Sequence, residues 1–366
     1  MKLTQIEKAI EDLKNGQMVI LTKSGDEGTH GCFVIAPEYS NPEMINKMIF
    51  YGRSQISLVM LRNNFKHLNF PLDNEFSIDA ATGIKAGLSA VDRNQTIKTA
   101  CSSSAKSADL VSPGHIYPIL AKEGGCLVRP LLADASYDLI RLAELGSVAV
   151  ICEIINDKGE YALDAELDSM ALELGLNTCS ISDLVEYRFI HEPLVERINT
   201  VDLPTEYGNF RLHVYKARFD STRGVDLALT FGKNTFDDKD IPLVRVHSEW
   251  SIANIVNRLS YEEGSFLNKA MKKVSESESG AIIFLRNTPE QHTNSLFSSA
   301  KKPTDIWQEK GRLKTLAPMG DMMSYGFGAQ ILRDLGVRRM KILSNKKNSF
   351  KGIDSYGLEI LEQLPF

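Results

Sequence analysis

Glu153 closes an apolar run, Val148 to Ile154, and a carboxylate placed there needs a partner because an unpaired buried charge is costly. It either touches a ligand or pairs with Arg93 or Arg129. The fixed guanidinium fork of Arg129 suits a phosphate or a carboxylate equally well. His115, in a Ser-Pro-Gly-His turn, could carry a proton or satisfy a buried carbonyl. With Lys85 and Asp134 these residues form a charged set suited to acid–base work on a small anionic or phosphorylated metabolite. Asp26, Glu27 and His30 are a further polar group, read as a new metal site or, more simply, as a solvated loop.

Most of that set lies between Asp79 and Asp138, where glycines, short apolar runs and turn residues alternate. Such a stretch reads as pocket-lining loops between buried strands. Around it, helical spacing is expected over 6–13, 42–51, 92–100, 135–145, 164–174 and 182–192, with Gly16, Gly146 and Gly175 as stops. Strands are expected at 17–21, 32–36, 57–61, 76–80, 112–120 and 148–154. The polar segment Thr22 to Gly31 reads as a site loop, and Asn63 to Asn74 as a surface excursion.

Glu196 to Asp202 is the linker candidate, which gives domains at 1–197 and 203–366. Beyond it, strands are expected at 210–217, 226–230, 243–247, 281–285 and 340–344, and helices at 252–259, 266–274 and 328–335. Asn287 to Gly311 reads as a long polar loop. The fold class is therefore α+β or mixed α/β in two unlike domains.

A formal charge of -5 gives no general reason to expect nucleic acid binding. No apolar stretch approaches the length of a membrane span or a signal peptide, so a cytoplasmic protein is expected. Five cysteines, Cys32, Cys101, Cys126, Cys152 and Cys179, are odd in number and contain no CxxC. Neither a disulfide framework nor a cysteine zinc site is supported, and Cys126 and Cys152 read as buried small hydrophobes.

Several motifs resemble the bifunctional riboflavin-biosynthesis family, which joins a 3,4-dihydroxy-2-butanone 4-phosphate synthase to a GTP cyclohydrolase II. In the first half they are Gly87-Leu-Ser-Ala-Val-Asp-Arg93, Pro113-Gly-His-Ile-Tyr-Pro118, Gly124-Gly-Cys-Leu-Val-Arg129 and Cys152-Glu153. In the second they are Arg245-Val-His-Ser-Glu249, Tyr325 to Gly336 and Ser355-Tyr-Gly-Leu-Glu359. The resemblance spans the chain in order. It implies chemistry on ribulose 5-phosphate with a divalent metal in the first domain, zinc held by three cysteines in the second, and a homodimer.

Residue by residue, the resemblance also shows departures. Gly28 stands where the family has a metal-binding glutamate, His30 where it has the next acid, and Leu132 where it has the metal-binding histidine. Trp250, Tyr261 and Glu263 stand at the three zinc cysteines. Asp92, Arg93, His115, Arg129 and Glu153 keep family positions, and Asp134 is one methylene shorter than the motif glutamate.

These departures lead to the expectation that both parental activities are lost, leaving a pseudoenzyme that binds a metabolite or acts as a regulatory subunit with a protein partner. The alternatives are a repurposed lyase or isomerase, or a synthase retained through displaced metal ligands. His115, Glu153 and Asp134 are the expected catalytic groups, and Lys85, Asp92, Arg93 and Arg129 the ligand contacts. His247, Glu249 and Arg286 mark a second-domain pocket, although packing beside Trp250 is the simpler reading of the first two. No metal ligand is assigned; magnesium is admitted for the first domain and zinc is not expected.

Overall fold

Six residues, VAVICE at Val148–Glu153, form strand β6 within a seven-stranded sheet, and their alternation sorts its two faces. The computed structural model describes residues 2–25, 28–72, 75–219, 224–248, 263–285, 317–345 and 353–365. The chain divides into two units, Met1–Tyr187 and Arg188–Phe366.

The first sheet holds β1 (Val19–Gly25), β2 (Gly28–Ile35), β3 (Ile56–Met60), β4 (Ile78–Ala80), β5 (Leu110–Leu120), β6 and β7 (Thr178–Ser180). Their order is β4-β5-β3-β6-β2-β1-β7. Pairing is mixed: β6 runs antiparallel to β2 and β3, whereas β3 runs parallel to β5.

One face carries Ile20, Phe33, Ile35, Ile56, Leu58, Ile116, Val150 and Cys152 into a single apolar cluster. Helices α2 (Pro42–Gly52), α3 (Arg62–His67), α4 (Ala90–Ala100) and α6 (Asp164–Leu174) contribute Ile45, Met48, Phe65, Ile97 and Leu167 to it. The opposite face carries Leu21, Cys32, Val34, Val59, Ala149 and Ile151, all buried. Helices α1 (Lys2–Lys14) and α5 (Leu132–Leu142) pack together, and α5 lies against β1, β2, β3 and β6. The result is a helix–sheet–helix sandwich, the layering expected when a mixed sheet is apolar on both faces.

Local signals account for the helix ends. Asn41 accepts a hydrogen bond from the Met44 N–H at 2.9 Å, and Pro42 occupies the first turn of α2. Ser89 caps α4 in the same way through the Asp92 N–H at 3.1 Å. Gly175 ends α6 in the left-handed region at φ 65.

Two expectations for this unit are corrected. Thr22 to Gly31 is not a plain loop: β1 and β2 extend into it as a hairpin, with Thr22 opposite Gly31 and Lys23 opposite His30. Cross-strand pairing satisfies backbone groups that a polar composition alone does not reveal. Asn63 to Asn74 is not wholly an excursion either, because α3 begins at Arg62 and buries Phe65 while Leu68 follows it into the core.

In the second unit the strands are β8 (Val195–Thr205), β9 (Gly208–Ala217), β10 (Asp226–Phe231), β11 (Leu243–Ser248), β12 (Gly280–Leu285), β13 (Arg339–Leu343) and β14 (Glu359–Leu364). They stand in the order β14-β13-β11-β12-β10-β9-β8. Helices α7 (Glu263–Glu276) and α8 (Ala317–Asp334) accompany this sheet, and Ala270, Met271 and Val274 of α7 pack with Phe210, Leu229, Leu243 and Ile282. Glu196 to Asp202, expected as a linker, lies within β8 and pairs along β9. Its run of exposed residues, Ile198 to Asp202, conceals a strand at the edge of the sheet.

Candidate functional site around Glu153

Register places the polar groups of the first unit on the α5 face of the sheet. Cys32 and Glu153 are directly opposed on β2 and β6, so their side chains leave the sheet on the same side. His30 lies two residues before Cys32, and Lys23 is opposite His30 on β1, which keeps both on that side. Beyond β6 the chain turns, and Tyr161 returns to pair with Ile155, two residues after Glu153. Lys23, His30, Glu153 and Tyr161 thus share one end of one face.

Contacts confirm the convergence. The Tyr161 and His30 rings lie 5.2 Å apart at 40°. Glu153 and Tyr161 line a cavity of about 460 Å³ with Gln55, Ser57, Ile151 and Glu160. Another hollow of about 440 Å³, bordered by Gln5, Lys8, Asp168 and Leu172, holds none of the candidate residues.

Electrostatics set the protonation states. Partial burial and the Lys23 ammonium hold the His30 pKa below its usual value, with Glu153 opposing, so the imidazole is neutral at neutral pH. The charge of the neighbouring Glu153, ahead of burial, pushes the Tyr161 phenol up and keeps it protonated. Burial, followed by Glu153, pushes the Cys32 thiol well above its usual value.

The remaining candidates occupy other settings. His115 Nδ1 lies 2.8 Å from Asp79 Oδ2, while the His115 N–H donates to Asp79 Oδ1 at 3.1 Å. Asp92 accepts from the backbone N–H groups of Lys85, Ala86 and Gly87 at 3.2, 3.2 and 3.1 Å, so it shapes the loop before α4. Burial raises the Asp92 carboxyl, and these bonds together pull it below the usual range. The Lys85 side chain is exposed, and Arg93 Nε donates to the Leu88 carbonyl at 3.0 Å.

Arg129 does not meet Glu153. Its Nε donates to Asp134 Oδ2 at 2.6 Å and its Nη2 to the Leu120 carbonyl at 2.7 Å. Burial pushes the Asp134 carboxyl up against the opposing pull of Arg129. Leu132 opens α5 as a buried apolar residue. In the second unit, His247 sits on β11 at 6.1 Å from the Phe284 ring. Glu249 and Arg286 lie outside the described residues, as do Asp26 and Glu27.

Tyr161 was absent from the residues singled out by sequence. Its available signal was an aromatic hydroxyl just after the Asp157-Lys-Gly159 turn, where the chain doubles back toward the end of β6.

Comparison with known proteins decides the relationship. The family model for 3,4-dihydroxy-2-butanone 4-phosphate synthase matches residues 7–187, and that for GTP cyclohydrolase II matches 196–365. A riboflavin biosynthesis protein RibBA of Aquifex aeolicus is 36% identical, covering 100% of this chain and 92% of the relative. The chain belongs to the RibBA family. A 3,4-dihydroxy-2-butanone 4-phosphate synthase of Pseudomonas aeruginosa is likewise 36% identical, covering 100% of both chains. A solved two-domain synthase, RibBX from A. baumannii, superposes with a TM-score of 0.77 at 31% identity, covering 99% of each chain.

Full-length similarity to RibBA proteins and two-domain synthases corrects the expectation of a pseudoenzyme, regulatory subunit or repurposed lyase that has lost both parental activities. It favours retained RibBA-type enzyme function. Agreement along the whole chain outweighs departures at single positions such as Gly28 and Leu132. No helix among the described residues is long and apolar enough to cross a membrane.

No group of three or more His, Cys, Asp or Glu among the described residues could by itself hold a metal ion. Magnesium commonly uses one or two carboxylates and completes its shell with water and substrate oxygens. The two carboxylates lining the cavity, Glu153 and Glu160, fit that mode. A three-cysteine zinc site does not fit the second unit, because all five cysteines lie at or before Cys179.

Proposed function

We propose that this RibBA-family chain is a 3,4-dihydroxy-2-butanone 4-phosphate synthase whose reaction runs in the cavity beside Glu153. The observation carrying this reading is the half-buried Glu153 carboxylate on the wall of a cavity that Ser57, Glu160 and Tyr161 also line. The substrate is a pentulose phosphate, ribulose 5-phosphate. A synthase-like first domain, a cyclohydrolase II-like second domain that includes all of β8, and a homodimer belong to the same proposal.

Enolisation of such a sugar requires a base beside a C–H next to the carbonyl. Glu153 takes that proton, the C–H electron pair becomes the C=C bond, and the carbonyl π pair moves onto oxygen, which takes a proton from water. Tyr161 borders the same cavity. Bound magnesium would polarise the sugar oxygens, with Glu160 as the additional cavity carboxylate to hold it. His115, paired with Asp79, is the second candidate for proton transfer. Arg129 and Asp134 shape the loop before α5.

Full-length protein is incubated with ribulose 5-phosphate and Mg²⁺, and formate and the four-carbon phosphate are followed by mass spectrometry. Turnover is expected, and E153Q should lower kcat by about 10²–10⁴. Absence of product from the parent protein overturns the reading. GTP in a parallel incubation tests the second unit, for which the GTP cyclohydrolase II family match over 196–365 supports ring-opening activity. No step through zinc is derived for it.

A further inference from the structure

We propose that Asp79 is a positioning residue for His115, clamping the imidazole with its hydrogen on Nδ1 and leaving Nε2 as the nitrogen that moves a proton. The catalytic consequence rests on the synthase reading; the geometry of the clamp does not.

Register sets His115 on the same face as Glu153. Ile56 of β3 is paired with Ile116 of β5 on one side and with Cys152 of β6 on the other, and all three belong to the apolar cluster. His115 and Glu153 adjoin Ile116 and Cys152, so alternation turns both to the opposite, α5 face, at the end of β3 where Gln55 lies. Two strand spacings, about 10 Å, separate them.

Asp79 spends both carboxylate oxygens on this one residue. Oδ1 accepts the His115 backbone N–H at 3.1 Å, and Oδ2 lies 2.8 Å from His115 Nδ1. An ionised carboxylate only accepts, so the contact places the ring hydrogen on Nδ1. Nε2 makes no hydrogen bond among the described residues. Asp79 is 6% exposed whereas the His115 side chain is 36% exposed, so the clamp is buried and the ring keeps an open edge.

The surroundings hold the clamp in place. Ser77 Oγ accepts the Gly114 N–H at 3.0 Å, and Thr96 Oγ1 accepts the Ala80 N–H at 3.0 Å, which ties down the backbone around Asp79 and ahead of His115. Asp92 draws the Gly87 N–H in at 3.1 Å, and a Cβ at Gly87 would overlap both Asp79 Oδ2 and His115 Nδ1. A ring fixed in one tautomer and one orientation before the substrate arrives needs no reorganisation to carry a proton.

D79N keeps the size of the side chain and an oxygen for the His115 N–H, but turns an amide donor toward Nδ1 and so favours hydrogen on Nε2. With ribulose 5-phosphate and Mg²⁺, kcat should fall about 10²–10⁴-fold while KM stays near the parental value. Parental kcat, or a raised KM alone, overturns the proposal while leaving the synthase reading intact.

A second measurement does not depend on turnover. In ¹⁵N-histidine-labelled protein, two-bond ¹H–¹⁵N correlations recorded where the ring is neutral tell hydrogen on Nδ1 from hydrogen on Nε2, the His115 signals being those lost in H115Q. The parent should carry it on Nδ1 and D79N on Nε2. Hydrogen on Nε2 in the parent, or one tautomer shared by parent and D79N, overturns the proposal even if the protein shows no synthase activity. The parental spectrum alone decides should D79N fail to fold.

Discussion

Arg129 grips Asp134 along two edges, Nε to Oδ2 at 2.6 Å and Nη2 to Oδ1 at 3.1 Å, and the Lys122 N–H adds a third bond to Oδ1 at 2.8 Å. The carboxylate is fully buried, whereas the Arg129 side chain is 36% exposed. Between them they join the end of β5, the Gly-Gly turn and the start of α5.

R129A should destabilise the protein by about 2–3 kcal/mol, below the full cost of breaking a buried pair because Arg129 is partly solvated. Burial already raises the folded-state carboxyl, against the pull of Arg129, so the native state holds its proton to higher pH than the unfolded chain. Stability from this group therefore falls as pH rises through the folded pKa. Removing the guanidinium widens that window. Thermal melts should show a larger R129A deficit near neutral pH than near pH ~4; equal deficits would exclude the charge explanation.

Gly87 lies under the Asp79–His115 pair with φ +76, and an added Cβ would overlap Asp79 Oδ2. G87A combines left-handed strain with overpacking, for an expected loss of about 2–4 kcal/mol. It should also move the His115 imidazole resonance. An unshifted resonance together with a parental melting temperature would show that the loop relaxes without disturbing the pair.

Much of the first unit was legible because its apolar runs report both faces of one sheet. Val148 to Ile154 marked β6, Asn41-Pro42 marked the start of α2, and Gly175 marked its helix end. Glu153 stood out as a charge within such a run. Its neighbour in the cavity did not: Tyr161 comes to the same wall only because the 156–160 turn folds back, an approach with no sequence periodicity. The Arg129–Asp134 pair was hidden similarly, since each residue alone suits a ligand. The departures at Gly28 and Leu132 do not by themselves decide activity, because magnesium often draws much of its shell from water and substrate.

The cysteines should be chemically quiet. Burial pushes Cys101, Cys152 and Cys179 up to about 12, and Cys32 is also well raised. Cys152 further donates its thiol to the Met48 carbonyl at 3.4 Å. Native protein near pH ~8 should react negligibly with a disulfide reagent such as DTNB, because the thiolate is the reactive form. In guanidinium all 5 should titrate. Rapid labelling of even one thiol in folded protein would contradict the burial argument.

His213 is fully buried between two threonines, Nδ1 at 3.1 Å from Thr200 Oγ1 and Nε2 at 3.0 Å from Thr230 Oγ1. Burial first, then Arg197 and Arg211, lower its pKa from 6.5 to about 4, with Asp334 opposing. Between those values the unfolded chain binds a proton that the native state refuses, so stability rises with pH. The contribution is present above about 6.5 and is lost as pH falls toward about 4, amounting to at most about 3 kcal/mol. His213→Gln removes the titration while keeping hydrogen-bonding capacity. Denaturant melts of this variant should lose that part of the slope between pH ~4 and ~6.5, even if it is less stable at neutral pH. An unchanged slope would assign the acid sensitivity to other groups and leave His213 as a packing residue alone.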